Sequence, residues 1–378
     1  MTRPSAHLPH PRWHGSQTAG RVLFLSHTEA DGVFKVGSHH LADGLSKLGY
    51  TVMHVSTPYS AIHGLLGRGS DARRQQARIG TTLDDAGVLH YVPSTTLPIQ
   101  VSTRSVLTNI RTLMGGVKAD VAFIDQPLFS TRACALARLN IYRPTDVIEG
   151  GVIGRRQRAL LHVVDGIIAT SDHVLNALKP SRDIASIVVP NGVDLSHFDP
   201  LPSDETARQG VVYVGAIDER FDWSQLEAAA YVNSTIDFDI YGPVPSRHPV
   251  MPDNVDIRGP VPYSSLPRVL ARYQVGILPL TDISLNFGRS PMKLFEYLAA
   301  GLQVVATSTP TLREQGRSVA GIHVVEASEF AEAVRNAILN PLFQQDLIAE
   351  AKRHTWTANA EIIAAFTQKL LGSINGAT

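Results

Sequence analysis

The sequence predicts two α/β domains, each a doubly wound parallel sheet covered by helices. Three observations predict it. Short apolar runs alternate with longer helical patterns along the chain. The alternation breaks once, near Pro190, and then restarts. At 378 residues the chain is too long for one average domain and fits two.

The elements follow in order. Residues 22–25, Val-Leu-Phe-Leu, form the apolar run that a buried parallel strand needs. A polar loop runs from Ser26 to about Lys35. The next helix has apolar positions Val36, Leu41, Leu45 and Leu48 and ends at Gly49. Residues 51–55 are the second strand and complete a right-handed βαβ crossover. Further strands are expected at 88–92, 120–124, 140–142 and 166–169, with helices at 128–139 and 153–164. Residues 187–194, Ile-Val-Val-Pro-Asn-Gly-Val-Asp, read as a strand ending in a Pro-Asn-Gly turn. The stretch with Pro200, Pro202 and Ser203 reads as the domain linker. Strands restart at 210–214, 237–241, 255–257, 275–278 and 304–306. From Pro341 to about Leu371 the pattern is helical and amphipathic, with no strand after it. The division is therefore a flexible tail (1–20), an N-terminal domain (21–190), a C-terminal domain (191–350) and a terminal helix (351–378) that packs back across the linker.

Composition narrows the class. Hydrophobic residues make up 44 % and charged residues 18 %, which is globular rather than disordered. The formal net charge is zero, so no global pull toward nucleic acid exists. Cys134 is the only cysteine, which rules out an internal disulfide and a cysteine-based metal site and suits a reducing cytoplasm. The first twenty residues lack the apolar core of a signal peptide. No apolar run approaches the ~20 residues that span a bilayer, so membrane contact would be peripheral. No His/Asp cluster has metal-ligand spacing, and no obligatory metal is expected.

The strongest chemical signal is residues 290–301, Ser-Pro-Met-Lys-Leu-Phe-Glu-Tyr-Leu-Ala-Ala-Gly. Ser290 suits an N-cap, Pro291 and Met292 the first turn, and Gly301 the end. Arg289 and Lys293 add positive charge to a helix start that already offers free N–H groups, which makes an anion site, such as one for a diphosphate. Glu296, three residues on, lies on the same helix face and suits a ribose diol. As plain surface residues, Arg289 and Lys293 would oppose the helix dipole and Glu296 would pair with a nearby cation. Gly215 and Gly242, each just past a strand, favour the ligand reading, because α/β sheets bind ligands at the carboxyl ends of strands.

These motifs resemble the GT-B glycosyltransferases of bacteria. Residues 290–301 resemble their nucleotide-binding helix. Pro190-Asn191-Gly192-Val193-Asp194 resembles the segment that closes their N-terminal domain. Val212-Tyr213-Val214-Gly215 resembles the first strand of their nucleotide domain, and Gly259-Pro260-Val261-Pro262-Tyr263 the loop that meets the base. The order and spacing match from Arg21 to Leu371. The resemblance implies a GT-B fold, two Rossmann-like domains with an interdomain cleft, and a nucleotide-sugar donor, a UDP-sugar by expectation, bound through Gly215, Pro260, Val261, Arg289, Ser290, Met292, Lys293 and Glu296. Within the group the chain is most similar to exopolysaccharide glucuronosyltransferases of the GumK type, which implies UDP-glucuronate as a donor. Their Tyr-Arg-x-x-Asp turn matches Tyr142-Arg143-Pro144-Thr145-Asp146, so Asp146 is implied as the base of an inverting transfer. An ordinary loop aspartate is the alternative. Many retaining GT-B enzymes carry a second glutamate eight positions before the first, where this chain has Gly288. That departure favours inversion.

Ser26, His27, His39, His40 and Arg143 are candidates on the acceptor side, with His39 or His40 as an alternative base. A helix histidine is more often a packing or surface residue. Residues 61–118 carry Arg68, Arg73, Arg74, Arg78, Arg104, Arg111 and Lys118 interleaved with apolar residues. That pattern fits either a docking face on the inner side of the plasma membrane, delivering a polyprenyl-linked or other glycan acceptor, or an ordinary solvated surface. A retaining transferase, a nucleotide-sugar epimerase and a non-catalytic sugar-nucleotide-binding partner of a polysaccharide complex are rival readings. A dinucleotide dehydrogenase is disfavoured, because Ser26-His27-Thr28-Glu29 stands where Gly-x-Gly-x-x-Gly would follow the first strand.

Overall fold

A computed structural model describes residue 13 and residues 18–29, 35–66, 71–199, 208–243, 247–317 and 319–376. Most of the tail at 1–20, Arg68, and the linker positions 200–207 lie outside the described residues. The chain divides into two compact units. The first holds the chain up to Thr170, Val174–Val189 and the residues from Asn359 onward; the second holds Ser171–His173 and Pro190–Ala358.

The sheet of the first unit has eight strands. In spatial order they are Ala185–Val188, Gly166–Ala169, Ala137–Tyr142, Ala119–Ile124, Arg21–Leu25, Thr51–Val55, Leu89–Tyr91 and Thr81–Leu83. All pair in parallel except the last, whose neighbour runs antiparallel. The order of strands along the chain reverses between Arg21–Leu25 and Ala119–Ile124, as in a doubly wound fold. Leu23, Leu25, Met53, Val55, Ala122 and Ile124 bury their side chains in its core, and Trp13 joins that core from the tail.

Residues 128–139 do not form the expected helix. A short 3-10 helix, Thr131–Leu136, leads directly into strand Ala137–Tyr142. Its pairing with the neighbouring strand, from Ala119↔Ala137 to Ile124↔Tyr142, overrides the local helical preference of an Ala/Leu-rich segment. The C-terminal pattern also breaks in two, into Gln344–Ala351 and Trp356–Gly376. Between them the backbone is committed elsewhere: Val193 N–H donates to His354 O at 2.9 Å and Trp356 N–H donates to Val193 O at 3.1 Å. Gly192 is required for this approach, because a Cβ there would fall 2.8 Å from His354 O. The edge strands Thr81–Leu83 and Ile322–Val325 carry too little buried apolar surface to stand out in the sequence.

The second unit carries six parallel strands in the order Val255–Arg258, Phe238–Tyr241, Val211–Val214, Val275–Leu278, Gln303–Thr307 and Ile322–Val325. Numbered along the chain this is 3-2-1-4-5-6, the Rossmann order. Its two central strands pair only at Val211↔Val275 and Val212↔Gly276, and then part. Tyr297 fills the split. Its hydroxyl accepts the Val214 N–H at 2.9 Å, satisfying a donor that the ladder no longer serves. Its ring lies on Gly276, where a Cβ would fall 2.2 Å from the nearest ring carbon. No helix among the described residues is long and apolar enough to cross a membrane.

Gly276→Ala should therefore overpack the split and destabilise the second unit by about 1–3 kcal/mol, the usual cost of an inserted methyl in a packed core. Urea denaturation followed by circular dichroism measures it. Wild-type stability would show that the ring is not wedged against the strand.

Candidate functional site

The parting of the two central strands opens the end of the sheet where their carboxyl termini emerge. Gly215 follows the first of them, and its N–H donates to Tyr241 O at 2.8 Å. Gly242 crosses directly beneath, with Gly215 O only 2.0 Å from where its Cβ would stand. Lys293 lies on Gly215: a Cβ at that glycine would fall 2.3 Å from Lys293 Cε and 2.6 Å from Nζ. The Lys293 ammonium sits 5.7 Å from the centre of the Tyr213 ring, a cation–π distance. It makes no hydrogen bond or ion pair with any described residue. Glu296, one turn on, is 7 % exposed and equally without a partner among the described residues.

These two groups are electrostatically expensive as they stand. Burial, with Arg289 nearby, pushes the Lys293 ammonium from 10.5 down to about 8. That shift corresponds to roughly 3 kcal/mol against the charged form. Burial raises the Glu296 carboxyl to about 7, against the pull of Lys293. A half-buried cation with no partner among the described residues, beside a second cation, is a site that an incoming anion would stabilise.

Two loops frame the opening. Asn286, fully buried, ties them together by donating to Arg220 O at 3.1 Å and Thr281 O at 2.8 Å. Thr281 N–H donates to Arg220 O at 3.0 Å, and Thr307 Oγ1 donates to Leu280 O at 2.8 Å. Arg220 pairs with Asp218 and holds that carboxyl below its usual range. Both act on the titration of Lys293, as does Arg289.

Ser290 plays a different part from the expected cap. The helix begins at Lys293 and ends at Ala299. Ser290 Oγ instead accepts the Asn191 N–H at 3.0 Å and donates to Gln315 Oε1 at 3.1 Å, while Asn191 Nδ2 donates to Ser290 O at 2.7 Å. Asn191 was not singled out from the sequence; its place in a Pro-Asn-Gly turn hides a role that exists only across 99 residues. Met292 is half-buried at the helix start. Pro260 is exposed and Val261 is half-buried against the second core. The neighbouring Tyr263 stacks on His197 with ring centres 4.1 Å apart and planes 4° apart. His197 Nε2 is also 2.8 Å from Tyr263 O, which holds this loop from below.

The candidates in the first unit fall into two groups. Asp146 is exposed just past strand Ala137–Tyr142 and accepts a hydrogen bond from Thr145 Oγ1 at 2.7 Å. Arg143 is buried, and its guanidinium pairs with Asp125 at 3.3 Å. His27 is exposed, and its carbonyl accepts from Arg73 Nη2 at 2.6 Å. Ser26, His39 and His40 are buried. Ser26 Oγ lies 3.1 Å from Ser38 Oγ, which lies 3.1 Å from His54 Nε2. His39, His54 and His90 form an aromatic cluster with ring centres 4.5 to 6.1 Å apart. His54 and His90 emerge from strands, and sequence reasoning passed over both. Among the described residues, no group of three or more His, Cys, Asp or Glu is arranged to hold a metal.

Comparison with known proteins agrees with this architecture. Residues 208–340 match the family model described as Glycosyl transferases group 1. TuaH of Bacillus subtilis (strain 168), named for a glycosyltransferase role in teichuronic acid biosynthesis, is 28 % identical over 177 residues. The alignment takes in 42 % of this chain and 44 % of that protein. Among solved structures, sucrose-phosphate synthase from Thermosynechococcus elongatus superposes with a TM-score of 0.70 at 14 % identity, covering 93 % of this chain and all of that one. HepE of Anabaena, solved with UDP and glucose, gives 0.60 at 14 % identity over 94 % of this chain and 100 % of its own. AviGT4, from avilamycin A biosynthesis, gives 0.64 at 14 % identity over 93 % and 98 %. Identities this low establish the fold: two Rossmann-like α/β units of the GT-B type.

The histidine cluster carries a stability consequence. Burial, then His90 and Lys35, push His39 down to about 4, and burial pushes His54 well below its ordinary value. Both are neutral when folded and take up protons on unfolding. Their contribution is thus intact above about pH 6.5 and is lost as the pH falls from there toward 4. The loss should reach about 3 kcal/mol for His39 alone. Thermal melts of the wild type and His39→Gln across pH 4–7 would show it as a shallower acid dependence in the variant.

Proposed function

We propose that this chain is a glycosyltransferase that takes a sugar from a nucleoside-diphosphate donor and passes it to a glycan or lipid-linked saccharide. The observation that carries this reading is the Lys293 ammonium, desolvated on Gly215 at the switch point of a Rossmann sheet, with no partner among the described residues. Lys293 and Arg289 hold the diphosphate, and Glu296 accepts the ribose hydroxyls. Gly215 lets the phosphates approach backbone. UDP is the proposed nucleotide, supported by the HepE structures solved with UDP and UDP-glucose. A glucuronate donor follows from the similarity to GumK-type enzymes.

The proposed reaction inverts the anomeric centre. Asp146 takes the proton from the acceptor hydroxyl as its oxygen bonds to the sugar's C1. The bond from C1 to the diphosphate breaks, and the leaving oxygen takes the electron pair. Lys293 and Arg289 neutralise that charge without a metal ion being required. Exposed Ile62, Leu65 and Leu66, the second of them 88 % exposed, support delivery of a lipid-linked acceptor at a membrane surface. Val106, Ile110, Leu113 and Met114 from the same basic region belong to the core instead.

Calorimetric titration with UDP, GDP and ADP tests the reading. Lys293→Ala should weaken binding of the preferred nucleotide by about 10- to 100-fold, the 1.5–3 kcal/mol of a hydrogen bond to a charged group. No binding, or binding indifferent to Lys293, would remove the reading. The binding form of Lys293 is the ammonium, so its loss alone should weaken affinity about twofold between pH 7 and 8. Above about pH 8 it should fall by up to tenfold per pH unit. A Lys293→Met protein should lack that slope. Asp146→Asn should abolish transfer and leave nucleotide affinity unchanged; a fully active variant would displace Asp146 from the base role.

A further inference from the structure

The first unit has a pocket of about 350 Å³ whose lining includes none of the acceptor-side candidates Ser26, His27, His39, His40, Arg143 or Asp146. Arg104 on helix Ile99–Leu113, Arg132 on the 3-10 helix Thr131–Leu136 and Arg156 on helix Gly151–Leu161 converge on it. Thr103, Ser130 and Thr131 add hydroxyls to its lining. None of the three guanidiniums forms an ion pair with a described residue. Arg156 makes one hydrogen bond, to Leu128 O at 3.3 Å. No carboxylate lines the pocket. The absence extends through the chain that builds it: residues 86–118, 126–145 and 150–164 contain no Asp or Glu.

Arginines spread over a surface need no explanation. Three that line one concavity with no carboxylate in its lining concentrate positive charge that an anion would offset. The location also favours a ligand. Residues 125–130 leave the carboxyl end of strand Ala119–Ile124 directly, beside the switch point of this sheet. Thr103 and Arg104 lie in the first half of helix Ile99–Leu113, and Arg156 lies at the middle of helix Gly151–Leu161. The volume falls in the range of small-molecule sites, about 300–1,000 Å³. Planar guanidiniums pair two-pronged with phosphate oxygens, and three of them suit a group bearing two or three charges.

We propose that this pocket binds a phosphate or diphosphate group and that the acceptor carries it. The anion site stands on the arginine geometry alone; calling its occupant the acceptor rests on the transferase reading above. The shared chemistry is a phosphoryl dianion, free on a sugar phosphate or as the headgroup of a polyprenyl lipid.

The test titrates the full chain with inorganic pyrophosphate in the presence of saturating UDP, which blocks the donor site. Pyrophosphate should still bind, and Arg104→Gln/Arg132→Gln should weaken it at least tenfold while UDP affinity and the melting temperature stay unchanged. Arg156→Lys, which keeps a donor for Leu128 O, should weaken it less than the double variant. Pyrophosphate binding that is absent, indifferent to these arginines, or lost only with Lys293→Ala would overturn the proposal. Absence of UDP binding would instead strike the transferase reading and leave the arginine result to be judged by itself. Two further arms separate the sources: glucose 6-phosphate in solution, and phosphatidylcholine vesicles with and without a polyprenyl monophosphate. Arginine-dependent binding in either arm assigns the occupant to that source; failure in both removes the acceptor assignment.

Discussion

The second unit depends on one constraint: two parallel strands that pair at their amino ends and separate before their carboxyl ends. Val211 and Val212 find partners in Val275 and Gly276, and Val214 does not. A buried N–H without a partner would cost about 1–3 kcal/mol. Tyr297 supplies that partner from the helix Lys293–Ala299, and Gly276 leaves room for its ring. The same contact fixes the helix. One turn before Tyr297 on that helix stands Lys293, which is thereby pressed onto Gly215. Backbone satisfaction in the sheet and placement of this cation are one arrangement.

That arrangement explains why the site is tense. A half-buried ammonium with a second cation nearby loses much of its preference for the charged form, and a carboxyl buried one turn away loses its own. Their mutual attraction is too weak at their separation to offset both penalties, since no ion pair within bonding distance forms. Stability alone would favour apolar residues at both positions. A ligand that brings negative charge to one and hydroxyl groups to the other relieves both penalties at once.

The first unit is organised by the opposite logic. Its buried polar groups are largely paired within the fold: Arg143 with Asp125, His90 with Asp84, Arg73 with Glu29, Gln157 with Tyr142. Among these, Arg143 is a residue that the sequence offers as an acceptor-side candidate. Arg104, Arg132 and Arg156, without ion pairs among the described residues, line one pocket with Phe129 and Ala159.

How far the sequence reaches follows from the range of each interaction. The strands at 22–25, 51–55, 211–214 and 275–278, and the glycines that end them, are legible because burial on both faces writes a continuous apolar run into adjacent residues. Lys293 and Glu296 are legible because a helical turn brings i and i+3 together whatever surrounds them. The helix expected at 128–139 fails because a neighbouring strand 18 residues away decides the conformation of residues 137–142. Ser290 looks like a cap locally, yet its hydroxyl is claimed by Asn191, 99 residues distant. His39, His54 and His90 are three unrelated histidines in the sequence and one cluster in the fold. The sequence by itself determined the two α/β units and the residues chemically able to hold a nucleotide. Only the tertiary structure decided which charges are left unpaired, because pairing depends on partners that the chain brings together through long-range packing.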